Sequence, residues 1–133
     1  MNLLPDERPE RANPPAGRPV IALAVDLMFA ARIRGAAETA GVEVVLVRSA
    51  DTALHAAAEC RPRRIFIDLD ARGVDAAGLI AALKADPQTR TIDVVAFVAH
   101  VNESAIAAAR AAGADRVLAR SAFVRELASL VRS

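Results

Sequence analysis

The chain has 133 residues and one cysteine, a length that can bury the core of one domain and a cysteine count that excludes an intramolecular disulfide and a cysteine-based metal cluster. A formal net charge of +1 and an aromatic content of 3% argue against a nucleic-acid or membrane surface as the main partner. With no apolar run near the ~18 residues of a membrane span and no signal-peptide pattern at its start, the sequence predicts a cytoplasmic protein.

The first 18 residues differ in composition from the rest. Prolines and charged residues dominate this stretch, and Leu3 and Leu4 are its only strong apolar pair. Such a stretch buries too little apolar surface to offset the entropy lost on ordering. We therefore expect a disordered proline-rich tail over residues 1–18 and one folded domain over residues 19–133.

The folded region begins with a strand and a helix. Val20 to Val25 is a continuous apolar run that ends at Asp26, which is typical of a central parallel strand. Apolar residues at helical spacing follow, and Gly41 stands where the C-terminal cap of a helix is expected. These residues form the first βα unit.

The second unit has a strand over Glu43 to Val47 and a helix over Thr52 to Cys60. Ser49 or Asp51 can cap this helix, because a short polar side chain there accepts a hydrogen bond from a free backbone N–H of the first turn. Pro62 ends the connection to the next strand.

The third predicted strand ends in carboxylates. Ile65-Phe66-Ile67-Asp68 is a short apolar run that delivers Asp68 to the carboxyl edge of the sheet, and this edge is where ligands bind in open α/β sheets. Asp70 follows two residues later. Asp75 is placed to cap a third helix, which is marked by the apolar residues Ala76, Leu79, Ile80 and Leu83.

The last two units repeat the pattern. A strand over Asp93 to Val98 precedes a helix that Asn102 can cap and Gly113 can end. A short strand over Arg116 to Ala119 follows, and Ser121 is predicted to cap the last helix.

Five short strands that alternate with five helices predict a doubly wound α/β domain, in which helices cover both faces of a parallel sheet. The carboxyl ends of parallel strands meet at one edge. Asp26 and Asp68 are therefore expected at the same edge of the sheet.

Three stretches of the sequence are informative through their order and spacing. They are Ile65-Phe66-Ile67-Asp68-Leu69 with Gly73 and Asp75 behind it, Val94-Val95-Ala96-Phe97-Val98-Ala99-His100, and Ala112-Gly113-Ala114-Asp115-Arg116-Val117-Leu118. With them, the sequence from Val20 to Val131 resembles the receiver domain of bacterial two-component response regulators. The resemblance implies a flavodoxin-like, five-stranded parallel sheet of strand order 2-1-3-4-5 with five helices.

The resemblance also implies a phosphoryl-transfer site at Asp68. In receiver domains the matching aspartate takes a phosphoryl group from a histidine kinase, with the help of a divalent metal and a lysine. A hard cation needs oxygen ligands and neutralises charge on the phosphoryl oxygens. If this chain binds such a metal, Mg²⁺ for example, the candidate ligands are Asp26, Asp68 and Asp70.

The sequence departs from the family pattern at most of the supporting positions. Leu27 stands where the second acid after the first strand is usual, Val98 replaces the hydroxyl residue of the fourth strand, and Val117 replaces the aromatic of the fifth. Arg120 stands where the family has a lysine, and a planar guanidinium pairs side-on with carboxylates whereas an ammonium acts as a point charge.

Asp70 is an additional acid beside the phosphoacceptor position. Its carboxylate can help to hold a metal, repel a phosphoryl group or pair with Arg120. We favour the hypothesis that Arg120 bridges Asp68 or Asp70 permanently, so that a fixed ion pair replaces a metal-dependent switch.

The sequence thus predicts a pseudo-receiver, a protein-interaction module in signalling that is not an enzyme and needs no cofactor. A histidine kinase or an output protein is its expected partner, with no nucleic acid and no membrane. The expected contact face, also suited to a homodimer, comprises the fourth helix, fifth strand and fifth helix, with exposed apolar residues around Val117, Ala122 and Val124. Two alternatives stay open: a phosphoaccepting receiver that uses Asp68 and Mg²⁺, and a small-molecule sensor with an apolar pocket above Asp26.

Overall fold

Six strands and five helices form the described part of the computed structural model, which comprises residues 10–12, 17–99 and 102–132. The strands are β1 (Glu10–Ala12), β2 (Val20–Leu23), β3 (Val44–Val47), β4 (Arg64–Asp68), β5 (Asp93–Val98) and β6 (Arg116–Ala119). The helices are α1 (Leu27–Ala40), α2 (Ala50–Cys60), α3 (Ala76–Ala85), α4 (Glu103–Ala112) and α5 (Arg120–Arg132). None of these helices has the length and hydropathy required to cross a membrane.

The sheet has the strand order β1-β3-β2-β4-β5-β6. Strands β2 to β6 are parallel, and β1 pairs antiparallel with β3 at the edge. Counted alone, the five parallel strands have the order 2-1-3-4-5. This confirms the doubly wound, flavodoxin-like sheet that the sequence predicts.

Side chains of the central strands alternate between two buried layers. On β4, Phe66 faces the layer made with α1 and α5, whereas Ile65 and Ile67 face the layer made with α2, α3 and α4. All three residues are fully buried, which explains why a strand covered on both faces has a continuous apolar sequence.

The four phenylalanines of the chain pack together in the layer of α1 and α5. The ring centroids of Phe97 and Phe123 are 4.4 Å apart, and Phe29 lies 4.9 Å from Phe97. Phe66 meets Phe123 edge to face at 5.1 Å. This aromatic cluster fixes α1 and α5 against the sheet directly below the carboxyl edge of β4.

Most predicted helix caps are confirmed. The side chain of Ser49 accepts a hydrogen bond from the N–H of Thr52, and Asn102 does the same for α4. Gly41 ends α1 at φ 68°, a left-handed conformation that glycine adopts without strain. The predicted cap at Ser121 is wrong: β6 passes directly into α5 at Arg120, so Ser121 lies inside the first helical turn.

Strand β1 differs from the prediction for the N-terminal tail. Residues 10–12 belong to the stretch expected to be disordered, yet Glu10 to Ala12 pair with Leu46 to Val44 of β3. Without β1, β3 would be the edge strand and would have unpaired backbone N–H and C=O groups, so three residues can pair with it through the backbone. The division of the chain into a tail over residues 1–18 and a domain over residues 19–133 is otherwise untested and stays a prediction.

Candidate functional site

Asp68 is the last residue of β4 and lies at the carboxyl edge of the sheet. The alternation that points Phe66 towards α1 and α5 places Asp68 on the same face, two residues further on. The residue is only 2% exposed. Its Oδ1 accepts a hydrogen bond of 2.8 Å from the N–H of Asp70, so the loop after β4 turns back over the carboxylate.

Arg120 reaches this carboxylate from the start of α5. Its Nη2 lies 3.6 Å from Oδ2 of Asp68, an ion-pair distance that is longer than a direct hydrogen bond. Its guanidinium carbon lies 4.4 Å from the centroid of the Phe29 ring, a cation–π contact. A cation at a helix N-terminus is disfavoured by the helix dipole. The contacts of Arg120 with Asp68 and Phe29 offset this unfavourable position of its charge.

Asp70 connects the loop after β4 to the end of β5. Its Oδ2 accepts a hydrogen bond of 2.6 Å from the N–H of Ala99, the residue after β5. The sequence left open whether Arg120 pairs with Asp68 or with Asp70. The ion pair in the structure is with Asp68, while the carboxylate of Asp70 binds backbone.

Asp26 lies at the carboxyl end of β2 and caps α1. Its Oδ1 accepts hydrogen bonds from the N–H groups of Met28 and Phe29, at 2.9 and 3.2 Å. These are free donors of the first helical turn, which an aspartate at the cap position satisfies. Asp26 thus lies at the same edge as Asp68, and its carboxylate caps the first turn of α1.

Burial dominates the protonation of Asp68. Removal of the carboxyl group from water raises its pKa above the ordinary value, and the negative charges of Asp70 and Asp26 act in the same direction. The N–H of Asp70 and the guanidinium of Arg120 oppose this rise without cancelling it. Asp68 therefore holds its proton to a higher pH than an ordinary aspartate.

The acids of this edge do not fit a magnesium site as they are arranged. Within residues 17–99 and 102–132, no group of three or more His, Cys, Asp or Glu side chains is placed to hold a metal ion. Mg²⁺ requires near-octahedral oxygen ligands, yet Asp26, Asp68 and Asp70 each direct an oxygen at a backbone N–H. Leu27, at the family's second acid position, is 72% exposed and has no oxygen to offer.

The two remaining predicted site positions are apolar. Val98 ends β5 and is 4% exposed, so its side chain packs in the core. Val117 on β6 is half-buried. Neither side chain can hydrogen-bond an oxyanion at this edge. His100, part of a stretch that carries the resemblance, lies outside the described residues.

A cleft of about 300 Å³ opens beside Asp26 and Arg120. Met28 and Val124 contribute apolar surface, but Arg32 also lines the cleft. An acid and two arginines make it a charged cleft, whereas the sensor alternative predicts an apolar pocket.

The predicted contact face is less apolar at its surface than expected. Val117, Ala122 and Val124 are each half-buried. In the described part of the chain, the large hydrophobic residues that are exposed are Leu27 and Met28, at 72% and 84%. Both lie at the start of α1.

Two groups of the site are not evident from the sequence. Phe29 fits the apolar periodicity of α1 and is buried, so its contact with Arg120 has no separate signal. The N–H of Ala99 is a backbone donor that any residue except proline supplies. Only the strand register, which sets Val98 opposite Ala119, indicates that this N–H and Arg120 lie near each other.

Comparisons of sequence and of structure give different results. No family model and no curated protein matches the sequence. Among solved structures, the phosphorylated cyanobacterial phytochrome response regulator RcpA is 24% identical with a TM-score of 0.71, over 88% of this chain and 90% of that chain. The receiver domain of NtrX from Brucella abortus is 21% identical with a TM-score of 0.72, over 84% and 92%.

A response regulator from Burkholderia pseudomallei, solved with a phosphorylated aspartic acid, a calcium ion and citrate, is 20% identical with a TM-score of 0.75, over 88% of this chain and 68% of that chain. The matches extend over nearly the whole domain and include receivers from several bacteria. They confirm at the level of the fold the resemblance that the sequence suggests. The protein has the fold of the response regulator receiver domains.

Proposed function

We propose that the protein is a pseudo-receiver, a signalling domain that binds a protein partner and is not switched by phosphorylation of Asp68. The observation that carries the proposal is the contact of Arg120 with Asp68. A cation of the chain pairs with the carboxylate, and partly neutralises it, at the point where a receiver accepts a phosphoryl group.

The groups around Asp68 support this proposal. Phosphoryl transfer depends on positive charge that is placed on the phosphoryl oxygens, and a receiver supplies it with a metal and a lysine. Here Leu27 replaces a metal ligand, and the guanidinium of Arg120 is held between Phe29 and Asp68. A planar guanidinium fixed in this way is a poor substitute for a mobile ammonium.

The competing function is that of a phosphoaccepting receiver in a phosphorelay. Asp68 stands at the carboxyl edge of the third parallel strand, and two of the structural relatives contain phosphorylated residues. Under this alternative the missing groups only slow the transfer. The Arg120 ion pair and the poor fit to Mg²⁺ favour the pseudo-receiver.

The partner of a pseudo-receiver is a histidine kinase or an output protein of a two-component pathway, and we propose that the domain acts in the cytoplasm without enzymatic activity. The face of α4, β6 and α5 remains the proposed contact surface and the proposed homodimer interface. The exposed pair Leu27 and Met28 adds a second apolar element beside the site.

Incubation with a small phosphoryl donor and Mg²⁺, followed by intact-mass measurement, tests the proposal. We expect no phosphoryl adduct under conditions that modify RcpA as a positive control. A phosphoryl adduct on the wild-type protein that is lost in Asp68→Ala would contradict the proposal and establish the phosphoaccepting alternative.

A further inference from the structure

The N–H of Ala99 is bound by an anion that belongs to the chain. The carboxylate of Asp70 crosses from the loop after β4 to this N–H, and the distance of 2.6 Å is short for an N–H···O hydrogen bond. A charged acceptor makes such a bond about twice as strong as a neutral one. The contact is thus a specific link between the ends of β4 and β5.

The first residue of α5, Arg120, lies next to Ala99 in the backbone. Val98 pairs with Ala119 across β5 and β6, so Ala99 and Arg120 directly follow the ends of two adjacent strands, and adjacent strands lie about 4.8 Å apart. Arg120 has donor capacity in reserve, because its buried Nε has no hydrogen-bond acceptor among the described residues. A backbone N–H and a guanidinium that reach the same point are a typical site for a small oxyanion, so the Arg120 side chain can complete such a site when an external anion takes the place of Asp70.

We propose that Asp70 is an internal ligand, whose carboxylate occupies an oxyanion site at the N–H of Ala99, beside the start of α5 that carries Arg120. A small oxyanion such as inorganic phosphate cannot take this position while Asp70 holds it. The inference rests on the proposed function, since it explains how the edge around Asp68 stays closed.

The loop does not depend on the Asp70 carboxylate for its shape. The N–H of Asp70 is bound to Oδ1 of Asp68, and the N–H of Leu69 donates to the carbonyl of Phe97. Both contacts are made by backbone donors and survive a change of the Asp70 side chain. Because Asp70 is exposed, its truncation leaves no buried cavity.

The test compares Asp70→Ala with Asp70→Asn by phosphate titration, followed through the backbone amide resonances. Both variants lose the same charge, but asparagine keeps a side-chain oxygen that can accept from Ala99. We expect a saturable shift of the Ala99 resonance in Asp70→Ala, with an affinity at least about tenfold higher than in Asp70→Asn or the wild type. The added substitution Arg120→Met should abolish the shift.

Equal phosphate binding by the two variants, or binding by the wild type, would overturn the proposal, and so would the absence of binding in Asp70→Ala. Hydrogen exchange provides a second readout: the Ala99 amide should exchange faster in Asp70→Ala than in the wild type, and equal exchange would show that the internal bond is absent. No phosphoryl donor is present, so intact mass stays unchanged. The proposed function, which fails if Asp68 is phosphorylated, can therefore fail independently.

Discussion

Asp68 is a carboxyl group whose surroundings make its ionisation less favourable than that of an exposed aspartate. Burial raises its pKa, and the partial neutralisation by Arg120 does not restore the ordinary value. A folded state that binds a proton more tightly than the unfolded chain loses stability as the pH rises past the ordinary carboxyl range and through the pKa of the folded state. The ionised group thus costs stability at neutral pH.

Asp68→Asn should therefore gain stability relative to the wild type as the pH rises through this window. Asparagine has a similar shape and cannot ionise. The gain in unfolding free energy relative to the wild type amounts to about 1.4 kcal/mol for each unit by which the pKa of Asp68 is raised. Urea unfolding over a pH series measures it. A difference that stays constant, or that shrinks as the pH rises, would show that the carboxylate is not disfavoured in the folded protein.

Asp115 provides a control, because its pKa is shifted in the opposite direction to that of Asp68. Burial alone would raise its pKa, but hydrogen bonds from the N–H of Val94 and the ammonium of Lys84 lower it overall. Its contribution is present above the ordinary carboxyl pKa and is lost as the pH falls. The advantage of the wild type over Asp115→Asn should accordingly shrink on acidification, in the same unfolding series.

At the level of elements, both ends of α5 are anchored to the sheet. Arg120 contacts Asp68 at the start of the helix, and the side chains of Arg63 and Arg64 donate to the carbonyls of Val131 and Leu130 at its end. Cations at a helix C-terminus satisfy free carbonyls and favour the dipole. Arg63 and Arg64 therefore have a structural role, and α5 holds Arg120 in register with Asp68.

The start of α1 depends on Asp26 as a cap. Truncation to Asp26→Ala removes the acceptor for two backbone donors and should cost about 1 kcal/mol of unfolding free energy. Asp26→Asn keeps an acceptor oxygen and should lose less than half of that amount. Thermal or urea unfolding of both variants checks this, and an equal loss in the two would mean that the charge of Asp26, rather than its hydrogen bonds, stabilises the protein.

Over the whole molecule, features that depend on neighbouring residues in the sequence are predicted correctly, whereas features that depend on contacts between distant segments are not. The strands and the caps at Ser49, Asn102 and Gly41 follow from patterns within a few residues, and the structure confirms them. Strand β1 depends on the backbone groups that β3 offers, and α5 begins at Arg120, one residue before the predicted cap.

The candidate site shows the same division. The positions of Asp26 and Asp68 at one sheet edge follow from strand ends, and the sequence also indicates Arg120 as a partner for an acid. The contact of Arg120 with Phe29 and that of Asp70 with Ala99 join residues far apart in the chain. Such contacts depend on strand register and backbone donors, which residue type does not reveal.

The central claim is that Arg120 and Asp68 form a fixed pair where a receiver has a metal-dependent switch. A crystal structure of the protein grown with Mg²⁺ tests this most directly. We expect the guanidinium of Arg120 over the Phe29 ring and next to Asp68, with Asp26 still capping α1. Magnesium bound by Asp26 and Asp68, with Arg120 turned to solvent, would contradict the claim.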